Sequence, residues 1–166
     1  MINLLVTGGC GFIGSNFIEM ILQTQREAVS KIVNLDALTY AGSLENTKEF
    51  VDDEKYFFEE VNLCEADEVL RVFKEHDITH VIHFAAESHV DNSISDPSAF
   101  IDSNIVGTFN LLKIAHQLKI KRFHHVSTDE VYGALGESGK FHEFTPYDPR
   151  NPYSASKAAS DYLFRS

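Results

Sequence analysis

A chain of 166 residues is about one domain's worth, and its 43% hydrophobic and 23% charged residues suit an ordinary globular core. The formal charge of -11, from 25 acidic and 14 basic side chains, would repel a phosphate backbone and argues against nucleic acid as a partner. Cys10 and Cys64 have neither metal nor disulfide spacing, and neither a signal peptide nor a bilayer-spanning stretch is present, so a cytoplasmic protein without membrane contact is expected.

The first apolar run, Ile2–Thr7, reads as a strand. The segment Thr7-Gly8-Gly9-Cys10-Gly11-Phe12-Ile13-Gly14 follows it and opens a helix from Gly11 to about Gln25. The glycines can be read as Gly9-x-Gly11-x-x-Gly14 or as Gly8-x-x-Gly11-x-x-Gly14. Either reading gives one residue for a tight turn, one for approach of a pyrophosphate to the backbone, and one for close helix–strand packing. The helix N-terminus then offers free amide N–H groups to phosphates. A second strand, Lys31–Asp36, ends in an acid about 20 residues on, placed to accept hydrogen bonds from an adenosine ribose. Its charge would repel a 2′-phosphate, and Ala37, Leu38 and Thr39 supply no cation, so NAD is expected over NADP.

Strands at Tyr56–Val61, Thr79–Ala86 and Arg122–Thr128 alternate with helices at Glu65–Glu75 and Pro97–Leu118, and a last helix runs from Tyr153 onward. Apolar runs such as Leu4-Leu5-Val6 suit strands covered on both faces. The alternation predicts an α/β fold, a doubly wound parallel sheet of Rossmann type with strand order 3-2-1-4-5. Asp96 is the expected N-cap of the Pro97–Leu118 helix, with Pro97 in its first turn. Apolar residues on more than one face of that helix suit either a dimer contact or burial within one chain. Residues Gly133 to Pro152 lack periodicity, which suits a lid or substrate loop or a disordered tract.

Tyr153 and Lys157 stand four apart on one helix face. A phenol is a poor base near neutral pH, and a neighbouring ammonium, together with a nicotinamide ring, would favour phenolate. The lysine can also hold the nicotinamide ribose. Ser127-Thr128 at the end of the fifth strand adds a hydroxyl to this pair.

With these motifs in place, the chain resembles the extended short-chain dehydrogenase/reductase family, most closely its dTDP-glucose 4,6-dehydratase branch, over essentially all 166 residues. The resemblance is carried by Thr7–Gly14, Ala85-Ala86-Glu87-Ser88-His89-Val90-Asp91, Asn104-Ile105-Val106-Gly107-Thr108, Ser127-Thr128-Asp129-Glu130-Val131-Tyr132-Gly133 and Tyr153–Lys157. It implies dehydration of dTDP-glucose to dTDP-4-dehydro-6-deoxyglucose. Tyr153, helped by Thr128, would take the C4 hydroxyl proton, Glu130 would remove the C5 proton, and a protonated Asp129 would donate to the departing C6 hydroxyl. A difference in local burial could keep the two carboxyl groups in opposite protonation states.

The same resemblance implies that Gly8, Gly11, Phe12, Ile13 and Gly14 lie along the cofactor, with Asp36, Ala37, Leu38 and Thr39. Asn62 and Leu63 would border the adenine. Phe84, Ala85, Ala86, Ser88 and Ser103 would line the cofactor side of the cleft, with Ser88 and Thr128 also facing the sugar, and Tyr153 and Lys157 would hold the nicotinamide end. A homodimer through the Pro97–Leu118 and Tyr153-onward helices is expected. Two departures stand out: Asn92 occupies a place where the family commonly has arginine, and Cys10 one where alanine is usual. His80, His83, His124 and His125 make no ligand set with the cysteines, so no metal is expected.

Family members are roughly twice this long, so residues 1–166 are expected to be an NAD-binding domain that stops before the last strands and the substrate-binding part, with negligible turnover by itself. A truncated chain and a naturally short one both fit. A non-catalytic NAD-binding or dimerising module is the alternative from another class. A sugar-nucleotide epimerase or decarboxylase is the alternative within the family, against which the adjacent acids Asp129 and Glu130 speak.

Overall fold

The computed structural model describes residues 1–166, which divide into two compact units. The first comprises Met1–Ala85 and Asn110–Val126, and the second Ala86–Phe109 and Ser127–Ser166.

The first unit is a five-stranded parallel sheet. Its strands are β1 (Ile2–Thr7), β2 (Val29–Asp36), β3 (Tyr56–Glu60), β4 (His80–His83) and β5 (Arg122–His125), in the expected order β3-β2-β1-β4-β5. Helices α1 (Phe12–Thr24) and α2 (Ala66–Glu75) are the crossovers after β1 and β3. The central strand β1 buries Leu4, Leu5, Val6 and Thr7, because its alternate side chains enter two different cores. Leu5 joins Val33, Leu35, Val69, Val72, Phe73, Val81 and Leu111 on one side; Leu4 and Val6 join Ile18, Leu22, Ile32, Phe50 and Tyr56 on the other. The chain's direction across the sheet reverses at β1, between β2 and β4. A parallel sheet opens a crevice at the carboxyl ends of its strands there, and ligands of such folds bind in that crevice.

Two strands are shorter than the apolar runs suggest. The run Thr79–Ala86 leaves the ladder after His83, since Ala85 donates its N–H to the Thr7 hydroxyl (3.2 Å) and packs on the turn after β1. The run Arg122–Thr128 ends as strand at His125; beyond it, Ser127 and Thr128 make side-chain bonds that replace ladder bonds.

The second unit is helical. It contains α3 (Val90–Ser95), α4 (Ser98–Phe100), a π-helical stretch at Ile101–Gly107, the start of α5 (Thr108–Gln117), a short 3₁₀ turn at Asp129–Tyr132, and α6 (Pro152–Arg165). The single helix expected at Pro97–Leu118 is therefore α4, the π stretch and α5 in succession. The N-cap is Pro97 and not Asp96, because the helix begins one residue later than expected; Asp96 still accepts the Ser98 N–H at 3.0 Å. Nothing in the sequence pattern announces α3. Its Asp-Asn-Ser-Ile-Ser run has weak helix propensity, and it is held by the buried Ser93, whose hydroxyl donates to the Val90 carbonyl (2.6 Å). α6 has a full capping box: Asn151 accepts the Ser154 N–H at 2.7 Å, Ser154 answers the Asn151 N–H, and Pro152 stands at the first helical position.

No helix is long and apolar enough to cross a membrane. Phe73, 1% exposed, is among the largest side chains fully buried in the first unit. Phe73→Ala should cost about 3–5 kcal/mol of unfolding free energy, read from urea melts; a loss below about 1 kcal/mol would mean that this core is not formed as described.

Candidate functional site

In the first unit, the turn after β1 is held at three points. Gly8 has φ +73° and stands so close to the next crossover that a Cβ there would meet the Ala85 nitrogen at 2.7 Å. Gly14 lies over the same turn, where a Cβ would sit 2.2 Å from the Gly8 carbonyl oxygen. Of the two glycine readings, Gly8-x-x-Gly11-x-x-Gly14 matches these roles: turn, N-cap of α1, and close packing. The third point is Asp36, 8% exposed, whose Oδ2 accepts the Cys10 N–H (2.9 Å) and whose Oδ1 accepts the Leu38 N–H (2.9 Å). A carboxylate held by two amides keeps lone pairs for further donors.

Helix α1 has no side-chain cap and no acid in its first turn. Its first amides are thus unclaimed by the chain's own side chains, in a helix terminus that favours negative charge. Phe12 and Ile13 in that turn are 81% and 62% exposed. Ala37 and Leu38 are half-buried after β2 and Thr39 is exposed. The exposed Asn62 and the buried Leu63 follow Val61, whose N–H reaches the Asp36 carbonyl at 3.1 Å. Phe84, half-buried, packs on Phe17 of α1 with ring centroids 5.4 Å apart. These positions share one end of the sheet. Cys10 fits: its thiol is buried beside Asn34, and burial pushes it up to about 11.

In the second unit, Thr128, Asp129, Glu130 and Tyr153 come together. The Thr128 side chain caps the 3₁₀ turn by accepting the Glu130 N–H (3.3 Å) and also hydrogen-bonds the Tyr153 phenol. Glu130 Oε2 accepts from Asn151 Nδ2 at 3.0 Å, so the cap of α6 also holds the Glu130 carboxyl group. The Tyr153 ring stands edge-on to Phe100 (6.3 Å). Lys157, one turn on, is only 4% exposed. Ser88 is exposed, Ala86 half-buried, and Ser103 half-buried in the π stretch.

Two electrostatic expectations run the other way in the ligand-free chain. The Tyr153 phenol is pushed up, first by burial and then by Glu130 and Asp129, with the Thr128 hydrogen bond opposing. Lys157 is itself held down by burial to about 8 from the ordinary 10.5, with the Asp161 charge pulling it back up. Burial does differ between the two acids, but in the opposite sense to the roles assigned: Asp129 is exposed and Glu130 half-buried.

The sequence reading quotes Asn104 within a motif and gives it no role. It sits buried in the π stretch, accepts the Glu87 N–H (2.8 Å), and donates to the Glu87 carbonyl (2.9 Å) and to Ser156 Oγ (2.9 Å). It thus ties the segment after β4 to the helix face between Tyr153 and Lys157. Asn151 and Asp161 were missed too. The four-residue step from Lys157 to Asp161 was the available signal for the second. No group of three or more His, Cys, Asp or Glu is arranged to hold a metal ion.

A parallel sheet with a glycine turn, an acid closing its second strand and a tyrosine–lysine helix defines a Rossmann-type protein of the short-chain dehydrogenase/reductase class. The family model described as GDP-mannose 4,6 dehydratase matches residues 5–166, and the chain belongs to that family. A protein of Neisseria meningitidis serogroup B named dTDP-glucose 4,6-dehydratase is 51% identical over 176 residues, covering 100% of this chain and 49% of the relative. The structure of DesIV (dTDP-glucose 4,6-dehydratase) from Streptomyces venezuelae, with NAD and TYD bound, superposes with a TM-score of 0.92 at 42% identity, over 98% of this chain and 50% of that one. A UDP-glucose 4-epimerase of Thermus thermophilus in complex with NAD gives a TM-score of 0.86 at 34% identity, over 98% and 49%. The chain spans about half the length of the curated relatives it matches.

The Lys157 titration sets a measurable pH dependence. Between about 8 and the unfolded value near 10.5 the folded chain binds fewer protons than the unfolded one, so this group's contribution to stability rises with pH through that window, and its penalty is complete below it. Lys157→Met has no such titration. The stability difference, wild type minus Lys157→Met, should grow by on the order of 2 kcal/mol between pH 7 and pH 10; a flat difference would mean that the ammonium is well solvated.

Proposed function

We propose that the protein is an NAD-dependent lyase that dehydrates a nucleoside-diphosphate sugar, converting dTDP-glucose to dTDP-4-dehydro-6-deoxyglucose and water in the cytoplasm. The observation that carries the reading is the turn Thr128-Asp129-Glu130, with its hydroxyl on Tyr153 and its second acid on the helix cap. Oxidation at C4 alone needs only a hydroxyl, a tyrosine and a lysine. Elimination across C5 and C6 needs a base and an acid as well.

The first unit fits the cofactor: the turn of Gly8, Gly11 and Gly14 is bare enough for a pyrophosphate to approach, and α1 presents uncapped amides. The exposed Phe12 and Ile13 suit cover by a dinucleotide, and Asp36 suits a ribose hydroxyl, favouring NAD over NADP. Ala37 to Thr39, Asn62, Leu63, Phe84 and Ala85 would complete its surroundings in this unit. NAD held there would supply a hydride acceptor for oxidation at C4 and a hydride donor for reduction at C6.

Tyr153 takes the proton of the C4 hydroxyl, with Thr128 holding the phenol and Lys157 favouring phenolate. The resulting ketone acidifies the C5 hydrogen, which Glu130 removes as a proton. Asp129 donates a proton to the departing C6 hydroxyl, so that water leaves. Glu130 then returns its proton to C5 as hydride reaches C6. Because Asp129 is exposed in the free chain, its donor role asks that the bound sugar shield it from water. Ser88 and Thr128 would face the sugar.

A homodimer accompanies this reading. The helical run expected at Pro97–Leu118 leaves Ile101 and Phe109 47% and 49% exposed, and α6 leaves Tyr162 59% exposed. Apolar side chains on these two helices suit a self-complementary contact.

Incubation of a protein that carries this chain at the full length of its relatives with dTDP-glucose and NAD⁺ should give the 4-keto-6-deoxy sugar by NMR; a C4 epimer as the product would favour the epimerase alternative. Glu130→Gln should lower turnover by about 10²–10⁴-fold while C4 oxidation still reduces bound NAD⁺, and unchanged turnover would remove Glu130 from the mechanism. Phe109→Glu should turn a dimer into a monomer by light scattering, and an unaltered dimer mass would place the interface elsewhere.

A further inference from the structure

Asp161 stands one turn beyond Lys157 on α6 and is 5% exposed. Its Oδ2 accepts two short hydrogen bonds, from Ser127 Oγ at 2.6 Å and from the Tyr147 phenol at 2.7 Å. The Tyr147 oxygen also receives Arg165 Nη2 at 2.8 Å, and the guanidinium lies over the Tyr147 ring at 5.1 Å. A guanidinium can only donate, so the single phenolic proton of Tyr147 must point to Asp161. The aspartate thus holds two hydroxyl donors, one of them polarised by a cation. Each comes from a different segment: Ser127 from the chain after β5, Tyr147 from the long loop. Tyr147 is itself fixed by ring contacts to Tyr132 (5.3 Å) and Tyr162 (5.4 Å). None of these groups has a part in the chemistry above.

We infer that Asp161 is a positioning residue that keeps Lys157 in its ammonium form at neutral pH, with Ser127 and Tyr147 holding the carboxylate ionised and in place. Its effect on turnover rests on the dehydratase reading, whereas its effect on Lys157 does not. An ammonium this deeply buried loses its hydration and tends to shed its proton unless an anion lies nearby. Asp161 is that anion, and its charge pulls Lys157 up against the larger effect of burial. The acids of the 3₁₀ turn, Asp129 and Glu130, act instead on Tyr153, which shares the helix with Lys157. Arg165 faces Asp161 through Tyr147, whose phenol burial and the carboxylate together push up to about 12, so it stays a donor throughout the working range. A neutral Lys157 would leave the Tyr153 phenolate without a cation, so the four-residue step from lysine to aspartate extends the Tyr153–Lys157 pair by one charge.

The direct test is the protonation of Lys157 Nζ, followed by ¹⁵N NMR of the full chain through a pH titration. Asp161→Asn should move the midpoint to lower pH by about one unit or more, a tenfold or larger change in proton affinity, while Asp161→Glu stays nearer to wild type. An unmoved midpoint in Asp161→Asn overturns the inference. Should that variant fail to fold, Tyr147→Phe keeps the ring and loses only the donor; it should lower the midpoint in the same direction by a smaller amount, and no change there overturns the inference equally. In turnover, the alkaline limb of the pH profile should move down in Asp161→Asn, with about tenfold loss near pH 7.5 and much of it recovered near pH 6. A loss equal at every pH would mark a merely structural aspartate and overturn the inference. A shifted Lys157 midpoint in a protein that never dehydrates dTDP-glucose would sink the proposed function and leave this inference standing.

Discussion

The first unit depends on how closely its backbone segments approach at the end of β1. A carboxylate at the end of β2 grips the amide of Cys10, and the segment after β4 presses on Gly8 at a distance that admits no Cβ. The Thr7 hydroxyl completes this packing: it accepts the Ala85 N–H and shares a 2.7 Å hydrogen bond with the buried His83. Three neighbouring strands thus fix one turn. Its rigidity leaves the first amides of α1 facing outward without a partner from the chain, as an anion site requires. A side chain at Gly8 or Gly14 would force the segments apart before it touched any ligand.

This local arrangement reconciles the chain's charge with its inferred ligand. A protein with a formal charge of -11 cannot draw in a dinucleotide or a sugar diphosphate by its overall field. Amide dipoles act over the last turn of approach, where the distant acids are screened. The second unit solves the converse problem, since it buries a cation. Lys157 is tolerated because Asp161 lies one turn away, its Oδ2 held by two hydroxyls. Burial still weakens the ammonium, and burial also holds the Tyr153 phenol in its neutral form; a positive group beside the phenol would favour phenolate.

Much of this was legible in the residues because it rests on local rules. The strand order followed from strand–helix alternation, and the glycine turn and Asp36 from spacing alone. What could not be read depends on side chains meeting across long stretches of chain. β4 and β5 lose their last residues to hydroxyls, Thr7 in one case and Ser127 with Thr128 in the other, and no pattern within either strand announces that. α3 forms from poor helix formers because its serines bond their own backbone. The π stretch, which carries Asn104, left no periodic sign in a helix apolar on several faces. The direction of the Tyr153 shift needed the extent of burial, and burial is a tertiary quantity.

The comparison with an epimerase shows where specificity has to lie. A UDP-glucose 4-epimerase shares this architecture at a TM-score of 0.86, close to the 0.92 of a dehydratase, so the backbone hardly separates an enzyme that epimerises at C4 from one that expels water across C5 and C6. Fold similarity of this kind bears on the cofactor and says little about the chemistry. The difference must come from a few side chains near the reacting carbons. The turn after Thr128 is the place in this chain where two acids stand adjacent beside the Tyr153 phenol, and Asn151 links the second of them to the first turn of the tyrosine helix. A carboxyl group held by the same residue that caps the helix keeps its position relative to the phenol. Under the proposed function, C4 oxidation and C5 deprotonation would call for that constancy, because the same sugar would meet both groups without being released between steps.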